Sequence, residues 1–131
     1  MKKILLVLSA VLALSTSAFA KDAALFGAWL SPQQAVGGGL TIQVQLAFAP
    51  TGLTATSICR QGATVVTASA HGDFETANGM ITTSGNDSQS NSANGVECNA
   101  SIQPASIAYS VSGAILQLTQ DGQTLVLNKT N

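Results

Sequence analysis

The densest group of residues that could do chemistry is the stretch HGDFE, His71 to Glu75. In an extended backbone successive side chains alternate faces, so His71, Asp73 and Glu75 project to one side and Phe74 to the other. Two uses fit that arrangement. A histidine with two carboxylates is the minimum donor set for a weak metal or proton-handling site. The same residues also make an ordinary polar outer face on a strand whose Phe74 points into a core, and this second arrangement is the expected one. A single histidine excludes any multi-histidine centre. No G-x-S-x-G, no H-E-x-x-H and no glycine loop followed by Lys and Ser or Thr occurs. "VGGGL", Val36 to Leu40, reads as a spacer between the first two strands. The chain is therefore expected to be no enzyme, with no catalytic residue, no metal and no cofactor.

The two cysteines, Cys59 and Cys98, take their meaning from the N-terminus. Lys2 and Lys3 precede an apolar run from Ile4 to Leu14, and "AFA" at Ala18 to Ala20 has the small-x-small form of a cleavage site, so residues 1–20 read as a signal peptide. The apolar run falls well short of the roughly 20 residues that cross a bilayer. No cysteine follows the site, so the lipoprotein pattern is missing and the mature chain is expected to carry no transmembrane segment. Residues 21–131 then form one small exported domain, periplasmic or extracellular. In that oxidising setting a lone pair of cysteines closes into a disulfide. There is no C-x-x-C, and Arg60 is the only neighbouring cation, which makes a reactive thiol the lesser alternative.

Removing the leader leaves Lys21, Arg60 and Lys129 against six carboxylates, a net charge of −3. Three scattered cations cannot form the basic patch that phosphate binding needs, so nucleic acid is not an expected partner. Asn86, Asn99 and Asn128 stand in N-x-S/T patterns, which matter only in a source that glycosylates them.

The elements that must carry these residues are strands. "LTIQVQLAF" places Leu40, Ile42, Val44, Leu46 and Phe48 on one face in strict alternation. "LTATSIC", "TVVTASA" and "VECNASI" continue the pattern, and both cysteines fall in the apolar register. From residue 105 onward the chain reads as a meander, with Asp121-Gly122 a strong hairpin signal. No segment has a helical period. Turn signals at roughly 9 to 12-residue intervals give about eight or nine strands. An immunoglobulin sandwich would place its tryptophan between the two cysteines, whereas Trp29 precedes both. The expected fold is all-β, an antiparallel up-and-down barrel of about eight strands. The polar stretch Thr83 to Gly95 lacks any apolar period and is expected to be a mobile surface loop or an extended hairpin tip. Inward positions hold several small residues, Ala55, Ser57, Ala68, Ala70 and Ala100, which leave room for a cavity or answer the taper of the barrel.

Gly27-Ala28-Trp29 at the start of the first strand resembles the hallmark of the lipocalins and of the shorter bacterial lipocalin-like domains. The closing stretch "YSVSGAILQLTQDGQTLVLNKT" is similar to the end of those bacterial domains. The likeness covers the two ends of the mature chain. It implies that Trp29 packs across the closed end of the barrel near a basic residue of the last strand. Here that residue is Lys129, in place of the usual Arg, with Gly27 allowing a bend or a close backbone approach. The rival use of Trp29 is to stack on a ligand. The likeness also implies an open end that admits a small apolar molecule, so a non-enzymatic binding barrel is the first expectation for function. The alternative is a protein-interaction module, such as a protease or lysozyme inhibitor, acting through the 83–95 segment.

Overall fold

A computed structural model of the protein describes residues 20–130. Apart from Ala20, the expected signal peptide lies outside the described residues. Among them the only helical element is a one-turn 3-10 helix, Ala23–Leu25, which leads into β1 (Gly27–Leu30) and β2 (Gln34–Gly37). Three long strands follow, β3 (Leu40–Ala49), β4 (Gly52–Gln61) and β5 (Thr64–Ala77). After these come β6 (Met80–Ser84), β7 (Asp87–Ala93), β8 (Val96–Ile102), β9 (Ala105–Ser112), β10 (Ile115–Gln120) and β11 (Gln123–Thr130). No helix among the described residues is long and apolar enough to cross a membrane.

Eight of these strands close a barrel in the order β1-β11-β10-β9-β6-β5-β4-β3, all neighbours antiparallel. β1 completes the circle by pairing on both sides, with Trp29 opposite Lys129 of β11 and opposite Leu46 of β3. Closure removes the exposed edges that an open sheet would present. The strictly alternating stretch from Leu40 to Phe48 is β3, paired along its whole length with β4. Three tight hairpins rest on Asn78-Gly79, Asn94-Gly95 and Asp121-Gly122, each with positive φ at both residues. That is the type I′ geometry whose twist matches paired strands.

The hairpin of β7 and β8 stands outside the barrel ladder as a separate two-stranded sheet. β5 is fourteen residues long, and only Asp73 to Ala77 pairs with β6. Its first half, Thr64 to Gly72, is laddered to β4 on one side only, and β7 runs along the other edge. Side chains take the place of a ladder there: Asp87 Oδ2 accepts from the His71 N–H at 2.7 Å and Asn91 Nδ2 donates to the Thr67 carbonyl at 2.6 Å. β8 then folds over the inner face of β4 and β5, burying Val96, Cys98, Ala100 and Ile102 in alternation. Cys98 is bonded to Cys59, with the two Cα atoms 5.7 Å apart.

That spacing corrects the expectation about the small inward residues. Facing sheets normally stand about 10 Å apart, and the bridge draws β8 and β4 much closer. Ala68 and Ala70 of β5 are buried beneath this hairpin and Ala100 of β8 is buried against them, so the three admit the second layer of chain and do not enlarge a cavity. Gly72 serves the same purpose: a Cβ there would stand 2.6 Å from Ile102 Cγ2 and 2.7 Å from the Ser84 carbonyl oxygen. The 83–95 segment takes the second of its two expected forms: after the end of β6 it is an arm of an extended hairpin, β7, and its tight turn. Both faces of β7 are polar and almost wholly exposed, which is why no apolar period marks it.

Candidate functional site

The barrel interior divides into a filled lower half and an open upper half. In the lower half Leu25, Trp29, Phe74, Leu116 and Leu127 are each fully excluded from solvent. Above them Phe48 forms a floor, backed by Phe74, which it meets edge to face with ring centroids 5.0 Å apart. Over that floor lies a cavity of about 280 Å³, walled by Leu46, Leu53, Ile81, Ile102, Ile107 and Leu118 among others. Ala55 is the one residue of the expected small set that lines it. A second chamber of about 430 Å³ shares Leu46, Ile107 and Leu118 as a common wall and is bordered by Gln34, Gln120, Gln123 and Thr124. Those four are exposed, so this chamber is the mouth. Leu46, Ala55, Ile107, Leu118 and Leu125 face inward yet remain only half-buried. Apolar side chains in that condition line an interior that side chains alone do not fill.

The hairpin is part of this wall. Ser101, Ile102 and Gln103 line the lower chamber at the end of β8, so the disulfide that fixes β8 also fixes one side of the cavity.

The closed end is built around Trp29. Its indole Nε1–H donates to the Leu25 carbonyl at 2.8 Å, tying the strand to the short helix that covers it. The Lys129 ammonium lies 5.4 Å from the ring centroid, a cation–π contact worth about 0.5–1 kcal/mol at an accessible site. Gly27 has φ +124°, and a Cβ would come within 3.0 Å of Lys129 Cε. What approaches Gly27 closely is therefore the stem of Lys129, not another backbone. No protein-family model, curated protein or solved structure matches the chain.

Two further residues of the closed end escaped the sequence reading. Asp22 caps the short helix by accepting from the Ala24 N–H at 3.0 Å, and its other oxygen accepts from the Tyr109 hydroxyl at 2.7 Å. The Tyr109 bond first, and the Ala24 bond second, hold the Asp22 carboxyl below the usual aspartate range. Burial, and then the same carboxylate, push the Tyr109 hydroxyl up. Because the folded-state value of Asp22 is depressed, its stabilisation is present above the unfolded aspartate pKa of about 3.9 and is lost as pH falls through the folded value. Tyr109→Phe should therefore melt below the native protein at about pH 6, with the gap closing below about pH 4. Thermal melts of both proteins across that range check it. A gap that is constant with pH would assign the loss to packing alone. An Asx cap before a short apolar run was the available signal for Asp22, but nothing local pairs it with a residue 87 positions away.

His71, Asp73 and Glu75 lie on the outer face, as alternation requires, with Phe74 fully buried. Two of the three side chains have partners of their own. His71 Nδ1 meets Thr54 Oγ1 at 3.1 Å, while Asp73 pairs with Lys21 at 3.1 Å and accepts from the Phe74 N–H. Those last two contacts, the Phe74 N–H foremost, hold the Asp73 carboxyl below its ordinary range. No group of three His, Cys, Asp or Glu side chains suited to a metal ion forms among the described residues.

Proposed function

We propose that this chain is an exported, non-enzymatic, lipocalin-like barrel that holds a small apolar molecule at its open end. The observation that carries the reading is the cavity: about 280 Å³ of space above an aromatic floor, walled by apolar side chains and continued by a mouth. Ligand pockets of this kind are concave, largely preformed and mostly apolar, with a few polar groups to orient the occupant. The Cys59–Cys98 bridge fits an exported protein. The Gly27-x-Trp29 strand, with Lys129 set over the indole, supports the lipocalin-like reading beyond the barrel itself. Fold likeness alone is a thin warrant for function, so the weight rests on the cavity.

Ala55→Phe tests it. The added ring would project into the lower chamber from a position that now contributes only a methyl group. The native protein should bind the uncharged probe N-phenylnaphthylamine with one-to-one stoichiometry and a fluorescence rise. The variant should lose that binding by about tenfold or more while its thermal melt stays near the native one. A folded variant that binds the probe as well as the native protein would place binding elsewhere and end the proposal.

A further inference from the structure

We infer that the occupant is an uncharged single-chain amphiphile, with its hydrocarbon tail in the lower chamber and a neutral hydrogen-bonding head, such as a hydroxyl or an ester, at the mouth. This rests on the reading that the cavity is the binding site, and it adds the chemical class of the ligand.

The charge distribution carries the inference. Neither chamber is lined by a single ionisable side chain. The described residues hold three Lys and Arg cations, and all are engaged elsewhere. Lys21 is paired with Asp73 and lies over Phe74, and Lys129 lies over Trp29 at the closed end. Arg60 donates to Gln43 Oε1 at 3.0 Å from the outward register of β4. His71 is also on the outer face, against Thr54. A carboxylate, sulfonate or phosphate head would find no counter-ion in the barrel. The charge that does stand at the rim has the wrong sign for it: Asp121 occupies the turn between Gln120 and Gln123, both of which border the mouth. An ion that gives up part of its hydration without a partner is penalised far more than a neutral group. A cationic head could face Asp121, but an exposed pair of that kind contributes little.

What the rim does offer is neutral. Gln34, Gln120 and Gln123 each bring an amide that donates and accepts. The size fits a chain. Taking each carbon-sized group at about the 30 Å³ share of a liquid water, the lower chamber of about 280 Å³ holds roughly nine.

The test is displacement of bound N-phenylnaphthylamine from the full, oxidised protein by decanol, decanoate and decylammonium at about pH 7.5, where both ionic heads are charged. Decanol should displace the probe, and each ion should be weaker by about tenfold or more. Gln123→Arg places a cation at the mouth. It should raise decanoate affinity by about tenfold relative to that of decanol. Equal displacement by decanol and either ion would overturn the uncharged class and leave the cavity reading standing. Failure of the probe to bind the native protein, or its undiminished binding to a folded Ala55→Phe variant, would overturn the cavity reading and this inference with it.

Discussion

Replacing Trp29 by alanine should destabilise the protein by about 3–5 kcal/mol, the range for deleting a fully buried large aromatic side chain. Trp29 is wholly excluded from solvent, and truncation would open a void among Leu25, Leu116, Leu127 and their neighbours at the end of the barrel where no ligand space exists. The variant would also strand the Leu25 carbonyl, which accepts from the indole at 2.8 Å and sits on a fully buried residue. A small domain is stable by only about 5–15 kcal/mol, so Trp29→Ala could leave little folded protein to measure. Trp29→Phe separates the contributions. It keeps most of the packing and loses the hydrogen bond and the cation–π contact, so a loss of about 1–3 kcal/mol is expected. Urea unfolding midpoints measure both. Trp29 lines neither chamber, so the folded Phe variant should bind the apolar probe as the native protein does. Loss of probe binding in a folded Trp29→Phe protein would make the indole a ligand contact and refute the role assigned to it.

Much of the barrel was legible because one face of each wall strand is apolar and the other is not. The alternation from Leu40 to Phe48, the apolar register of both cysteines and the Asp121-Gly122 turn all read correctly from local pattern. What escaped depends on contacts distant in sequence or on strands with no buried face. β7 is polar on both sides because β8 covers one edge and side chains from β7 itself bind the other, so burial imposes no period on it. β2 is a short, exposed edge and left no pattern either. The turns at Asn78-Gly79 and Asn94-Gly95 carried the same signal as Asp121-Gly122 and were legible in principle. The small residues were seen, but their purpose was not. An alanine in an inward register looks the same whether it borders a void or a second layer of chain. Only the path of β8 assigns Ala68 and Ala70 to the layer and Ala55 to the void. The Asp22–Tyr109 bond was beyond any local reading for the same reason.

Opening the disulfide, by reduction or by Cys59→Ala with Cys98→Ala, should cost about 4 kcal/mol, the chain-entropy value for a loop whose ends are 39 residues apart. The loss should fall unevenly, because the loop contains two different kinds of structure. β5 and β6 are held in the barrel by continuous antiparallel ladders. The β7–β8 hairpin has no ladder to the barrel and is held by a few side-chain hydrogen bonds on an exposed edge, by the burial of its alternate residues and by the bridge. Hydrogen bonds of that type contribute about 0.5–1.5 kcal/mol each. Once the bridge is gone, amides of β7 and β8 should exchange with solvent well before those of β10 and β11, as a separate cooperative unit. Because Ser101, Ile102 and Gln103 wall the lower chamber, the same opening should weaken probe binding even where the barrel itself stays folded. Hydrogen exchange and probe titration on one reduced sample read both effects. Uniform loss of protection across all strands would mean that hairpin and barrel unfold as one unit. Unchanged probe affinity with the hairpin exchanging freely would mean that β8 does not shape the cavity.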